Sequence, residues 1–191
     1  MSVIQIVGNQ SGAGKTSLAA ALLVTAANAG GKAAYYKPFA DGRTTDADVA
    51  FISGLQESLG GSAVSAPGNK SDSGDLSNTQ AEVTRLESEA GIVVIEGPDS
   101  SAPYAIRSKT LLIHRSSRES VAASIAAAGP DLAGVIVNAV PIHRRNEVTL
   151  ELAGQSVPVA VIPESRGMLT VTVGQLAEHL GGQWVLEPVN T

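Results

Sequence analysis

Hydrophobic and polar positions alternate along this chain in blocks that predict strands and helices in turn. The run Val3-Ile4-Gln5-Ile6-Val7 reads as a first strand, and 33–36, 91–95, 110–113, 132–137 and 157–162 read as further buried strands. Between them lie apolar residues at helical spacing. Leu18, Leu22 and Ala26 form one such stripe, ended by Gly30-Gly31. Phe51, Ile52 and Leu55 predict a short helix opening near Asp46 to Asp48. Thr79-Gln80-Ala81-Glu82 has capping-box spacing and predicts a helix start, with the helix running to about Ala90. Ser116 with Glu119 predicts a cap for a helix through Ala128, and Thr172 with Gln175 opens a last helix carrying Val173, Leu176, Ala177 and Leu180 on one face. Residues 60–78 are polar and show little periodicity, which suits a surface loop or a lid. Strand and helix alternating throughout predict an α/β fold, a mostly parallel sheet with helices on both faces, in one domain over 1–191.

Composition sharpens that picture. The chain is 43% hydrophobic but only 3% aromatic, so its core is built from Ala, Val, Leu and Ile, as a tightly covered parallel sheet requires. A net charge of −5 argues against a nucleic-acid partner or an anionic membrane surface. The chain holds no Cys, which excludes disulfides, thiolate metal sites and cysteine nucleophiles. No charged leader and no spanning apolar segment is evident, and a cytoplasmic location is the expectation.

The candidate chemistry collects where strands end. Gly8-Asn9-Gln10-Ser11-Gly12-Ala13-Gly14-Lys15-Thr16-Ser17 follows the first strand and precedes a helix, the context of a phosphate-binding loop. Its backbone N–H groups would cradle phosphate oxygens, Lys15 would reach the outer phosphates, and the Thr16 hydroxyl would ligate Mg²⁺. Asn9 stands where the strict pattern has its first glycine, with Gly8 one residue earlier. The second strand ends at Lys37, with Asp41, Asp46 and Asp48 following. The 91–95 strand ends at Glu96-Gly97 with Asp99 behind it, the 132–137 strand at Asn138, and the last at Pro163-Glu164. Ligands on such sheets bind outside these carboxyl ends. Asp48 and Glu96 are the candidate carboxylates for the metal beside Thr16; Asp46 could exchange roles with Asp48, one of them capping the helix. Lys37 is a second candidate cation for the phosphates or an anionic substrate. Asn138 suits either a base edge or a helix cap, and Pro163 completes the cofactor-binding set. His114 and His143 read as surface histidines, and Arg144-Arg145 as a solvated pair.

Together these residues resemble the dethiobiotin synthetase superfamily of P-loop proteins. The spacing of Gly8 through Thr16, the segment Tyr35-Tyr36-Lys37-Pro38 with Asp46-Ala47-Asp48, Ile95-Glu96-Gly97, and Leu132-Ala133-Gly134 leading to Asn138 all look like that family's motifs. The resemblance implies a P-loop NTPase fold with ATP and Mg²⁺, Lys15 and Lys37 at the reacting groups, and Thr16, Asp48 and Glu96 around the metal. Pro98-Asp99-Ser100-Ser101-Ala102-Pro103 replaces the family's glycine-rich substrate turn, and Gln10 replaces its acidic loop residue. A closer likeness is to the nucleotide-binding N-terminal domain of phosphotransacetylases, carried by Ile162-Pro163-Glu164 and Thr172-Val173-Gly174-Gln175-Leu176-Ala177-Glu178. That likeness implies a nucleotide-sensing or slow ATPase module. The alternatives are an ATP-dependent carboxylase-cyclo-ligase taking a small anionic or amine substrate, and a non-catalytic scaffold that retains the loop. The superfamily also implies a homodimer.

Overall fold

The computed structural model describes residues 2–39, 46–60, 64–65, 76–117, 120–165 and 181. Strands are β1 (Ser2–Gly8), β2 (Ala33–Tyr36), β3 (Val64–Ser65), β4 (Ile92–Glu96), β5 (Lys109–Arg115), β6 (Leu132–Val140) and β7 (Val159–Pro163). Helices are α1 (Lys15–Asn28), α2 (Ala47–Ser58), α3 (Leu76–Glu89), α4 (Val121–Ala128) and α5 (Arg145–Glu151), the last preceded by a 3₁₀ turn over Ile142–Arg144. The strands form one seven-stranded sheet in the order β3-β2-β4-β1-β5-β6-β7, and every neighbouring pair is parallel. β1 is central, with β4 on one side and β5 on the other. The turn after β1 therefore emerges between the loops that follow those two strands, where an open α/β sheet binds ligands.

Alternation along β1 splits the core between two faces. Ile6 packs with Tyr35, Val94 and Ile113 under Ala19, Leu23 and Ala26 of α1 and Ile52 of α2. Val3 and Val7 face the other way, Val3 with Val83 and Leu86 of α3, Val7 with Leu112, Ala128 and Val148 under α4 and α5. Helices thus cover both faces, as the alternation predicts. Among the described residues no helix is long and apolar enough to cross a membrane.

Several boundaries depart from the sequence reading, each for a local reason. The buried stripe of α1 is Ala19, Leu23 and Ala26, while Leu18 and Leu22 are only partly covered. Gly30, at φ +73°, ends this helix as expected. In α2 the buried positions are Ile52 and Gln56, which leaves Phe51 57% exposed; Gln56 donates to the Ala33 carbonyl at 3.0 Å. α3 spans Leu76–Glu89, so Thr79 lies inside it and does not cap it; buried Thr79 uses its hydroxyl on Tyr36. α4 starts after Ser120, while the Ser116 N–H donates to the Asn138 carbonyl and ties β5 to β6 instead of capping a helix. His114 is 1% exposed with Nδ1 at 3.0 Å from Ser124 Oγ, so it belongs to the interior and not to the surface. His143 is exposed, and Arg144 pairs with Glu147. The short strand β3 falls within the stretch 60–78. Asp41, Glu119 and the helix proposed from Thr172 lie outside the described residues.

Asp46 closes the amino end of α2. Its Oδ1 accepts from the N–H groups of Asp48 at 3.0 Å and Val49 at 3.2 Å, and Lys37 Nζ lies 2.9 Å from its Oδ2. Burial alone would raise this carboxyl above the ordinary 3.8, but the Lys37 hydrogen bond and the two N–H groups outweigh it and hold the value down. A depressed carboxyl contributes stability that is present above its unfolded value and is lost as pH falls through the folded one. Asp46→Asn keeps a cap but not the ion pair, and should lose about 1–3 kcal/mol at pH 7. In denaturant melts that difference should narrow steadily as pH falls below 3.8; a difference that does not change with pH would contradict the assignment.

Candidate functional site

Gly8 ends β1 and begins the loop. Its N–H donates to the Pro98 carbonyl at 3.1 Å and its carbonyl accepts from Ser101 N–H at 2.8 Å, so the loop starts locked to the segment after β4. The loop then turns through Gly12 at φ +69° and Gly14 at φ +110°. A Cβ at Gly14 would meet Asn138 Nδ2 at 2.9 Å as well as adopt a strained φ, so glycine is required there. α1 begins at Lys15, and no side chain caps it and no acidic residue sits in its first turn. Its first N–H groups and its positive dipole end are therefore presented to whatever sits in front of the loop.

The loop is held from behind by β5 and β6. Asn9, the residue that departs from the strict pattern, is buried: its Oδ1 accepts from Arg115 N–H at 2.8 Å and its Nδ2 donates to the Arg115 carbonyl at 3.3 Å. A glycine could make neither bond. Arg115 Nη1 returns a bond to the Gly12 carbonyl at 2.9 Å. Asn138 donates to the Ala13 carbonyl at 2.9 Å and accepts from Ala139 N–H at 2.8 Å. The amide read as suited to a base edge thus braces the phosphate-type loop in this structure. Gln10 contributes its carbonyl, which accepts from Ala13 N–H at 3.3 Å.

In front of the loop lies a cavity of about 600 Å³, lined by Ser11, Gly12, Gly14, Lys15, Thr16 and Ser17 on one side and by Lys37, Asp48, Glu96 and Asp99 on the other. That volume suits a small organic ligand. Pro163 pairs with Val140 at the end of β7 and does not line this cavity.

Glu96 is the buried acid of the site, 4% exposed. Thr16 Oγ1 donates to its Oε2 at 3.1 Å and Tyr35 OH donates to the same oxygen at 2.7 Å. Burial raises the Glu96 carboxyl above its ordinary value, against the lowering effect of Tyr35 and Lys37. Burial and the Glu96 charge likewise push the Tyr35 phenol up. Lys37 Nζ reaches Asp48 Oδ2 at 2.6 Å and Asp46, and stands 4.0 Å from Glu96 Oε1. Burial would lower this ammonium, but hydrogen bonds to Asp48 and Asp46 and the Glu96 charge raise it, so it remains a cation. Asp46 is the helix cap, which leaves Asp48 as the partly exposed acid that faces the cavity.

The donor set fits a hard divalent cation on one edge. The Thr16 hydroxyl and the Glu96 carboxylate are adjacent oxygen donors, the kind Mg²⁺ takes. Among the described residues no group of three or more acidic, His or Cys side chains forms a cage. An ion here would draw its remaining ligands from water and phosphate oxygens, as Mg²⁺ at nucleotide sites does. The carboxylate of Asp48 is bonded to Lys37 and lines the same cavity as Thr16 and Glu96.

Three features escape the strand-end reading. Asp99 was visible only as a nearby acid, yet it forms an ion pair with Lys15. Phe39 and Tyr104 also line the cavity, edge to face with ring centres 5.2 Å apart, and burial pushes the Tyr104 phenol up to about 12. Gln5 is fully buried; its Oε1 accepts from Tyr104 N–H at 2.6 Å and its Nε2 donates to Ser108 Oγ at 3.2 Å. A lone amide inside the apolar run 3–7 is the one sequence signal that points to this anchor.

Comparison with known proteins places this arrangement. A family model described as an AAA domain, AAA_26, matches residues 2–118. No curated protein sequence matches the chain. Among solved structures, the chain is similar to the signal recognition particle receptor FtsY from Elizabethkingia anophelis, at 21% identity and TM-score 0.55, over 91% of this chain and 63% of that one. It is similar to the cell division protein FtsY from Thermotoga maritima at 18% identity and TM-score 0.54, over 84% and 60% of the two chains. A nucleotide-binding protein in complex with ADP from Archaeoglobus fulgidus matches at 15% identity and TM-score 0.50, over 87% and 83%. The chain thus spans less than two thirds of either FtsY chain, and at these identities the likeness is one of fold. Since the family model covers more than half of its length, the chain belongs to the AAA_26 family of AAA domains and has the fold of the P-loop NTPases.

Proposed function

We propose that this chain binds Mg-ATP on the Gly8–Ser17 loop and acts as a nucleotide-sensing or slow ATPase module, similar to the nucleotide-binding N-terminal domain of phosphotransacetylases. The observation that carries this reading is the open, uncapped start of α1, with Lys15 and Thr16 facing a cavity that contains Glu96. Membership of the AAA_26 family and the ADP complex of the Archaeoglobus relative support it.

Each part has a physical task. The N–H groups of Gly12 to Ser17 bind phosphate oxygens, and the pinned Asn9 and Asn138 keep them pointed forward. Lys15 places positive charge on the outer phosphates. Thr16 and Glu96 would hold the metal, which when bound supplies charge neutralisation between phosphate oxygens. Asp48, Glu96 and Asp99 are each engaged with a cation or hydroxyl of the site. A water facing the outer phosphate would have to share one of these carboxylates, which favours sensing or slow hydrolysis over fast turnover.

A second reading has an observation of its own. The cavity continues past the loop to Lys37, Phe39 and Tyr104, which leaves room for a small anionic or amine substrate beside the phosphates. As a carboxylase-cyclo-ligase, the protein would release ADP only when a diamino acid and bicarbonate accompany ATP; release that does not depend on the substrate would reject this reading.

Calorimetry with ATP and Mg²⁺ should show one saturable site, and heat no different from dilution would overturn the proposal. Lys15→Ala should weaken binding by at least about tenfold, roughly 1–3 kcal/mol, with the fold intact by circular dichroism. Glu96→Gln separates stability from function. A carboxyl raised by burial removes stability as pH rises from its unfolded value of 4.5 through its folded one. The variant should therefore gain melting temperature relative to the parent between acid and neutral pH, while the Mg²⁺ enhancement of nucleotide binding falls by about tenfold. A melting difference independent of pH would contradict the assigned ionisation.

A further inference from the structure

Lys15 is not waiting free for a phosphate. Its ammonium is ion-paired with the Asp99 carboxylate; the Lys15 side chain is only 10% exposed, while that of Asp99 is 44% exposed on the solvent side. An ion pair on an open surface contributes little, but here one partner is nearly enclosed in a cavity. The acid is also held in place by its backbone. Gly97 N–H donates to the Ile6 carbonyl at 2.8 Å, the neighbouring Pro98 carbonyl and Ser101 N–H are both bonded to Gly8, and Tyr104 is pinned by Gln5. The segment that carries Asp99 is thus fastened to the phosphate-type loop itself.

The charge balance of the cavity points the same way. Its lining carries two cations, Lys15 and Lys37, and three carboxylates, Asp48, Glu96 and Asp99. Asp46 adds a further carboxylate behind Lys37. Each cation already has an acidic partner: Lys15 has Asp99, and Lys37 has Asp48 and Asp46. A polyphosphate arriving without a counterion meets an excess of negative charge, and both ammonium groups that would attract it are already paired with carboxylates. One that brings a divalent cation has part of its charge neutralised and offers the carboxylates a partner in return.

We propose that Asp99 is a specificity-determining residue that occupies Lys15 in place of a phosphate, so that tight nucleotide binding depends on a divalent cation arriving with the nucleotide. This rests on the nucleotide-binding reading above. It assigns to Asp99 a competition with the ligand, not a contact that holds it. Lys15 is the residue through which the competition acts, and its ammonium must leave the fixed Asp99 carboxylate when the ligand wins.

The test is a titration of the full chain with a fluorescent N-methylanthraniloyl-ATP, in excess EDTA and in Mg²⁺. Asp99→Asn, which keeps the size of the side chain, should tighten binding in EDTA by about tenfold or more, and by less than about threefold in Mg²⁺. In a Lys15→Ala background the same substitution should bring a much smaller gain, about threefold at most. Asp131→Asn, at the exposed Lys109 pair, controls for loss of one negative charge. Unchanged or weaker binding by Asp99→Asn in EDTA would overturn the proposal, as would an equal gain from Asp131→Asn or an undiminished gain without Lys15. If the parent chain and Asp99→Asn both melt cooperatively but bind nucleotide in neither buffer, the nucleotide-binding reading itself falls. Binding by the parent with no Asp99 effect rejects only the competition.

Discussion

The paired hydrogen bonds at Gly8 are the constraint on which the rest of the site depends. One residue at the end of the central strand gives its N–H to Pro98 and accepts from Ser101. The turn after β1 and the segment after β4 therefore cannot be placed independently. Glycine is demanded by the same closeness: a Cβ on Gly97 would stand 2.9 Å from the Ile6 carbonyl oxygen and 3.1 Å from Gln5 Oε1. With the two segments joined, Lys15 and Thr16 on one side face Glu96 and Asp99 on the other. Parallel order around β1 puts the joint at the centre of the sheet edge, and β5 and β6 complete it through Asn9, Arg115 and Asn138.

Around that joint the polar side chains form a connected set in which buried charge is matched rather than left bare. Tyr35 and Thr16 share Glu96; Asp46 caps α2 while it holds Lys37; Asp48 meets the same ammonium from the cavity side. Such a set is costly to leave half satisfied, and every described buried side-chain nitrogen and oxygen has a partner. The site is accordingly pre-organised, but its charges are engaged with one another. Ligand binding is then an exchange of partners more than the filling of an empty receptor.

Much of this was legible from residue pattern. Runs rich in Val and Ile, glycines at turns and a Lys-Thr pair at a helix start are local signals, and the parallel sheet, the loop and the acid at the end of β4 followed from them. What pattern could not show depends on contacts between distant segments. The helical spacing of Leu18 and Leu22 was real, yet the sheet selected Ala19 and Leu23 as the buried face. Thr79 looked like a cap because capping boxes are read from four residues, whereas its hydroxyl is used by Tyr36, on another element. His114 looked exposed because a polar residue at a strand end usually is; α4 supplies Ser124 as its partner and encloses it. Asp46 and Asp48 could not be told apart by spacing, since only the path of the backbone decides which carboxylate turns back onto the helix. Asp99 stands at the right strand end, but its sequence neighbours say nothing of its partner Lys15, 84 positions away.

The proposed nucleotide site puts phosphate groups on the N–H groups at the start of α1. Crystals grown with Mg²⁺ and a non-hydrolysable ATP analogue test it most directly. Phosphate oxygens are expected within hydrogen-bonding distance of the backbone N–H groups of residues 12–17, with Lys15 turned from Asp99 to the outer phosphates and the metal beside Thr16 and Glu96. A nucleotide bound elsewhere on the chain, with the Lys15–Asp99 pair intact and the loop free of phosphate, would contradict it.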